Sequence, residues 1–99
     1  MQKVSHSPSQ HIEKENISSL VFPVEEVLKD KSQILSRARK LAHAVKLGNL
    51  EKHKVSIDFK DSSSIKRVQT TIWSITEYFA ILKSNTRIPV NRILDVKIL

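Results

Sequence analysis

Apolar positions change their period along this chain, and each change marks a new kind of element. From Asp30 onward Ile34, Ala38, Leu41 and Val45 fall three or four apart, with Leu35 and Ala42 widening the stripe. That spacing lines one face of an α-helix. Asp30 is placed to cap the first turn with Gln33 in capping-box spacing, and Gly48-Asn49 supplies a left-handed stop. The pattern predicts a helix from Lys31 to Leu47.

The period then drops to two. Val55, Ile57 and Phe59 alternate with Lys54, Ser56, Asp58 and Lys60, the signature of a half-buried strand, and Asp61-Ser62-Ser63-Ser64 is its turn. Between Lys66 and Thr76 apolar side chains occupy both parities, Val68 and Ile72 on one and Trp73 and Ile75 on the other. A long strand that bends between two layers accounts for this. Tyr78 to Lys83 reads as a central strand, and Lys83-Ser84-Asn85-Thr86 as a tight hairpin. Arg87-Ile88-Pro89-Val90 must be an edge strand, because Pro89 has no N–H to donate, and Asn91-Arg92 turns the chain into a last strand from Ile93 to Leu99.

The expected fold class is therefore α+β: an N-terminal amphipathic helix followed by a five-stranded antiparallel small barrel of SH3-like or Sm-like form, or a meander. Closure would pair the last strand with the first and remove exposed edges. Residues 1–22, rich in Ser and Gln with no sustained period, are expected to form a disordered polar tail, and 23–99 a single domain. The end of that tail, Ile17 to Pro23, is more apolar and could dock as a short extended strand before Pro23 bends the chain.

The segments His53-Lys54-Val55-Ser56-Ile57-Asp58-Phe59, Val68-Gln69-Thr70-Thr71-Ile72-Trp73 and Ile88-Pro89-Val90-Asn91-Arg92-Ile93 resemble those of a family of short bacterial proteins, as does Leu47-Gly48-Asn49. The resemblance covers the C-terminal two thirds of the chain and brings no activity with it. The barrel expectation rests on the strand pattern alone.

Composition narrows the chemistry. No Cys is present, which removes disulfides, thiolate nucleophiles and thiolate metal sites and suits a reducing cytoplasm. No apolar run is long enough to span a bilayer, and Met1 to Gln10 lacks the apolar core of a secretory signal. His6, His11, His43 and His53 are too dispersed for a zinc site, and Gly48, the only glycine, cannot make a phosphate loop. Asp58, Asp61, Glu77 and Asp95 are scattered among basic neighbours rather than paired for acid–base work. No enzyme, cofactor or metal is expected.

With 17 Lys and Arg against 10 Asp and Glu, the net charge of +7 favours polyanionic partners. The polar side of the predicted helix gathers Arg37, Arg39, Lys40, His43 and Lys46 without an acid. Arg37, Arg39, Lys40, Lys46, Lys54, Lys66 and Arg67 are the candidate phosphate contacts, with Lys60, Arg87 and Arg92 as weaker additions. Trp73 and Tyr78 could stack on bases, but their place on apolar strands puts them in the expected core. The leading functional expectation is a small RNA-binding or ribonucleoprotein module. Its rival is a protein-interaction or self-associating module using the Ile88 to Val90 edge or the Leu20 to Phe22 segment.

Overall fold

The computed structural model describes residues 10–99. The portion of the expected tail from Met1 to Ser9 lies outside the described residues. From Gln10 the chain is packed onto the domain, contrary to the expectation for 1–22. Strand β1 (Gln10–His11) is followed by a 3-10 turn at Lys14–Ser19 that drives Ile17 into the core at 1% exposure. Burial of Ile17, with Ile12, Leu20 and Phe22 packed partly against the same core, offsets the entropy cost of ordering the segment.

Helix α1 (Lys31–Glu51) therefore sits mid-chain, not at the N terminus. The Asp30 carboxylate caps it by accepting from the Ser32 N–H. The helix runs through Gly48 and ends at Lys52, whose φ of 54° makes it the left-handed cap. Gly48 matters for packing instead, since a Cβ there would lie 2.5 Å from the Ile72 carbonyl oxygen and 2.9 Å from the Thr71 methyl. The glycine lets the helix settle directly on a strand backbone.

Strands β2 (Val55–Lys60), β3 (Ile65–Thr70), β4 (Ile72–Ile75), β5 (Phe79–Leu82), β6 (Arg87–Pro89) and β7 (Ile93–Ile98) complete the fold. They form two sheets, one of order β1-β3-β2-β7 and one of order β4-β5-β6. Only Thr71 separates β3 from β4, so the long bent strand read from the two-parity pattern is present, and it passes from one sheet into the other. The last strand pairs with the first long one, Ile57 opposite Val96, and β2 pairs antiparallel with β3, Ile57 opposite Val68. The tight hairpin is also present, with Ser84 and Asn85 both at positive φ and the Leu82 N–H bonded to the Thr86 carbonyl.

Neither sheet closes, and this corrects the expected barrel of five strands. Seven strands divide between two open sheets. A 3-10 turn at Val90–Arg92 separates β6 from β7, and the segment from Val21 to Leu28 is bonded to it. The Val27 N–H reaches the Asn91 carbonyl, Asn91 Nδ2 donates to the Val24 carbonyl at 2.6 Å, and Arg92 Nη1 donates to the Glu25 carbonyl at 2.7 Å. The strap satisfies the Asn91 carbonyl, and the Asn91 and Arg92 side chains satisfy carbonyls of the strap in return.

The core joins Val55, Ile57 and Phe59 with Leu41, Ala44, Val68, Ile72, Leu82, Ile88 and Ile93. The strap adds Phe22, whose ring centroid lies 5.9 Å from that of Phe59. Among the described residues no helix is long and apolar enough to cross a membrane. Gly48→Ala should lower stability by about 1–2 kcal/mol, because overpacking against the Ile72 carbonyl outweighs the roughly 1 kcal/mol gain in helix propensity. Urea denaturation measures it, and a more stable variant would refute the close approach.

Candidate nucleic-acid interface

The seven cations expected to form one phosphate track are divided by the fold. The helix buries Arg37, Leu41, Ala44 and Gly48, while Leu35, Ala38 and Ala42 face outward. The buried face is thus turned by about 60° from the stripe that the apolar spacing predicts. Arg37, expected on the polar face, is 5% exposed. Its guanidinium grips Glu26 in the strap through Nη1 at 2.7 Å and Nη2 at 2.6 Å, and Nη1 also donates to the Ile93 carbonyl at 3.0 Å. That fork holds the Glu26 carboxyl below its usual range against the pull of partial burial.

Lys66, likewise expected to meet phosphate, is 7% exposed and turned inward. Its Nζ donates to Asp61 at 2.5 Å and to Ser64 Oγ at 2.8 Å. Asp61 also accepts from the Ser63 and Ser64 N–H groups, both at 2.8 Å. Burial opposes ionisation of Asp61, but these donors outweigh it and set the carboxyl at about 2. The cluster pins the β2–β3 turn. Arg67 reaches Asp58 across the sheet through Nε at 2.7 Å and Nη2 at 3.1 Å, which raises its pKa further. Lys40 bonds Asp95 at 2.7 Å. Four of the seven candidates are thus engaged by acids.

Arg39, Lys46 and Lys54 remain exposed, and among the described residues none has an acid within ion-pair distance. Among the weaker additions, Arg92 is buried and donates from Nε to the Lys60 carbonyl at 3.0 Å. Arg87 lies over the Phe79 ring at 5.3 Å, and Lys60 is exposed.

The outward helix face carries Leu35, Arg39, Ala42, His43, Lys46 and Leu50, all exposed and within one stripe. No acid lies on it, because Glu51 at the helix end is the only acid in α1. Trp73 and Tyr78, expected in the core, are 47% and 68% exposed. Ile72 pairs with Leu82 and Ser74 with Ile81, so a β-bulge lies at Trp73, and its side chain is on the outer face beside buried Ile72. The two-parity pattern held this signal: Ile72 faces the core, and its neighbour cannot.

A second feature has no counterpart in the sequence pattern. Phe22, Pro23, Val24, Tyr78, Phe79, Pro89 and Val90 line a groove of about 960 Å³, with Arg37 and Glu26 also at its wall. Beside it, the β6 edge expected to self-associate is short, and Pro89 removes a donor from it. Among the described residues no group of His, Asp and Glu has the geometry of a metal site. No protein-family model matches the chain, and neither does a curated protein or a solved structure.

The Asp61 cluster sets an acid limit on stability. A folded pKa of about 2 below the ordinary 3.8 gives stability that is fully present above about pH 4 and lost as pH falls through 2. Urea midpoints between pH 7 and 2 should show a loss of about 2 kcal/mol from this group. Asp61→Asn, which strands the buried Lys66 charge, should cost about 3 kcal/mol at pH 7 and flatten that acid limb. An unchanged limb in the variant would exclude Asp61 as its source.

Proposed function

We propose that the protein is a small non-enzymatic module that binds RNA, or a similar polyanion, through the outward face of α1. The observation that supports this reading is the survival of Arg39, His43 and Lys46 on an exposed, acid-free helix face while neighbouring cations are taken up by acids. Lys54 extends the positive surface beyond the helix end. Phosphates attract such a face without requiring a pocket, and counterion release supplies the free energy. No nucleophile, base and cleft come together in this reading, and a cytoplasmic setting suits a chain without Cys.

A second reading is supported by the apolar groove beside Tyr78 and Val24, the latter 88% exposed. A partner polypeptide or a second copy would bury these side chains there, with the Ile88 to Val90 segment at its border. Size-exclusion chromatography with and without nuclease separates the two readings, because bound nucleic acid raises the 260/280 absorbance ratio.

The primary reading gives a salt dependence. Three phosphate contacts by Arg39, Lys46 and Lys54 on a single strand correspond to a log–log slope of about −2. Changing all three to Glu should abolish binding of a labelled RNA while circular dichroism stays unchanged, since exposed sites move stability by only about 0.5 kcal/mol each. Equal binding by the folded triple variant would refute the proposed face.

A further inference from the structure

We infer that Trp73 is a base-stacking platform, so that the preferred polyanion is a single-stranded nucleic acid with accessible bases. This rests on the RNA-binding reading and names its ligand class. The inference begins with backbone geometry. The bulge at Trp73 places it one residue beyond Ile72, whose side chain is fully buried and whose carbonyl lies against Gly48 of the helix. An apolar residue as large as Trp is left 47% exposed although the core is adjacent. Leucine or valine would fill the covered half of such a site with less apolar surface left in water.

Cations bracket the same place. The Thr71 carbonyl accepts from the Lys83 N–H at 3.0 Å, and Thr71 Oγ1 donates to the Lys52 carbonyl at 3.4 Å. The backbones of Lys52 and Lys83 thus meet the chain at Thr71, two residues before Trp73, from the helix end and from the β5–β6 hairpin. Both lysines are exposed, and among the described residues neither has an acid within ion-pair distance. Lys54 follows the same end of the helix, whereas Lys46 lies on its outward face, about 160° around the axis from Gly48. An exposed aromatic ring beside unpaired lysines is the arrangement that holds a single strand, the ring taking a base and the ammonium groups the flanking phosphates. A duplex, whose bases are already stacked, would engage only the cations.

Trp73 is the only tryptophan, so its fluorescence reports on this site alone. The probes are an adenosine RNA oligomer of about 12 nucleotides, the DNA of the same sequence, and an abasic oligomer of equal length and charge. The expected result is quenching by both base-bearing strands, saturating along the binding curve, and none by the abasic strand. Trp73→Leu should keep its circular dichroism, bind the base-bearing strands about tenfold more weakly and the abasic strand equally well, while Trp73→Phe restores most of the affinity. Quenching by RNA but not DNA would support stacking and restrict the ligand to RNA. Binding without quenching, or equal affinity for base-bearing and abasic strands, would overturn the stacking inference and leave the RNA-binding reading standing. No binding of any strand at low salt would overturn both. Should the leucine variant fail to fold, the wild-type comparison of base-bearing with abasic strands still decides the matter.

Discussion

The buried fork between Arg37 and Glu26 governs how this molecule is put together. One guanidinium joins three elements that are distant in sequence: α1 itself, the strap through the Glu26 carboxylate, and the start of β7 through the Ile93 carbonyl. Burying such a pair carries a large desolvation cost, and Nε of Arg37 has no partner, so the arrangement is specific before it is stabilising. Its main effect is rotational. With Arg37 turned inward, Ala44 and Gly48 face the sheets and Leu35, Arg39, Ala42 and Lys46 are left on the outside. The chemistry available on the helix surface thus follows from this half-buried ion pair together with the burial of Leu41, Ala44 and Gly48.

The two sheets depend on the same close seating. Gly48 brings the helix onto the backbone at Ile72, next to Thr71 where the long strand leaves one sheet for the other. A bulge follows at once, and Trp73, next after buried Ile72, is on the outer face of β4. On the far side the strap lies along the Val90–Arg92 turn, and the groove beside Tyr78 is the space left between strap and β5–β6.

Charge on this chain divides into two populations that net charge cannot distinguish. Arg37, Lys66, Arg67 and Arg92 hold structure, each through bonds to a carboxylate or a backbone carbonyl. Arg39, Lys46, Lys52, Lys54 and Lys83 are exposed and free of acidic partners among the described residues. Within the second group Lys52, Lys54 and Lys83 lie toward the C-terminal end of the helix, and Arg39 sits in its middle. A polyanion meeting this surface encounters cations that need not first leave an acid.

Local pattern was sufficient for the central elements, but not for β1, the Lys14–Ser19 turn or the four residues by which α1 outruns Leu47. The 3.6-residue spacing marked α1 and Asp30 its cap, the strict alternation at Val55, Ile57 and Phe59 marked β2, and Ser84-Asn85 marked a hairpin, because each is set by interactions within a few residues. The two parities of Val68 to Ile75 even marked the bend. What lay beyond the sequence was every choice between partners remote along the chain. Lysine or arginine reads as a surface charge until a carboxylate such as Asp61 or Glu26 is brought to it. Ile17 reads as the start of an apolar end that could dock as a strand, and the folded core takes it up from a 3-10 turn instead. Trp73 reads as core until Ile72 takes the inward position beside it. Hydrophobic spacing records which residues prefer burial, but the helix rotation, the open sheets and the free cations depend on ion pairs and close backbone contacts formed only when the whole chain has folded.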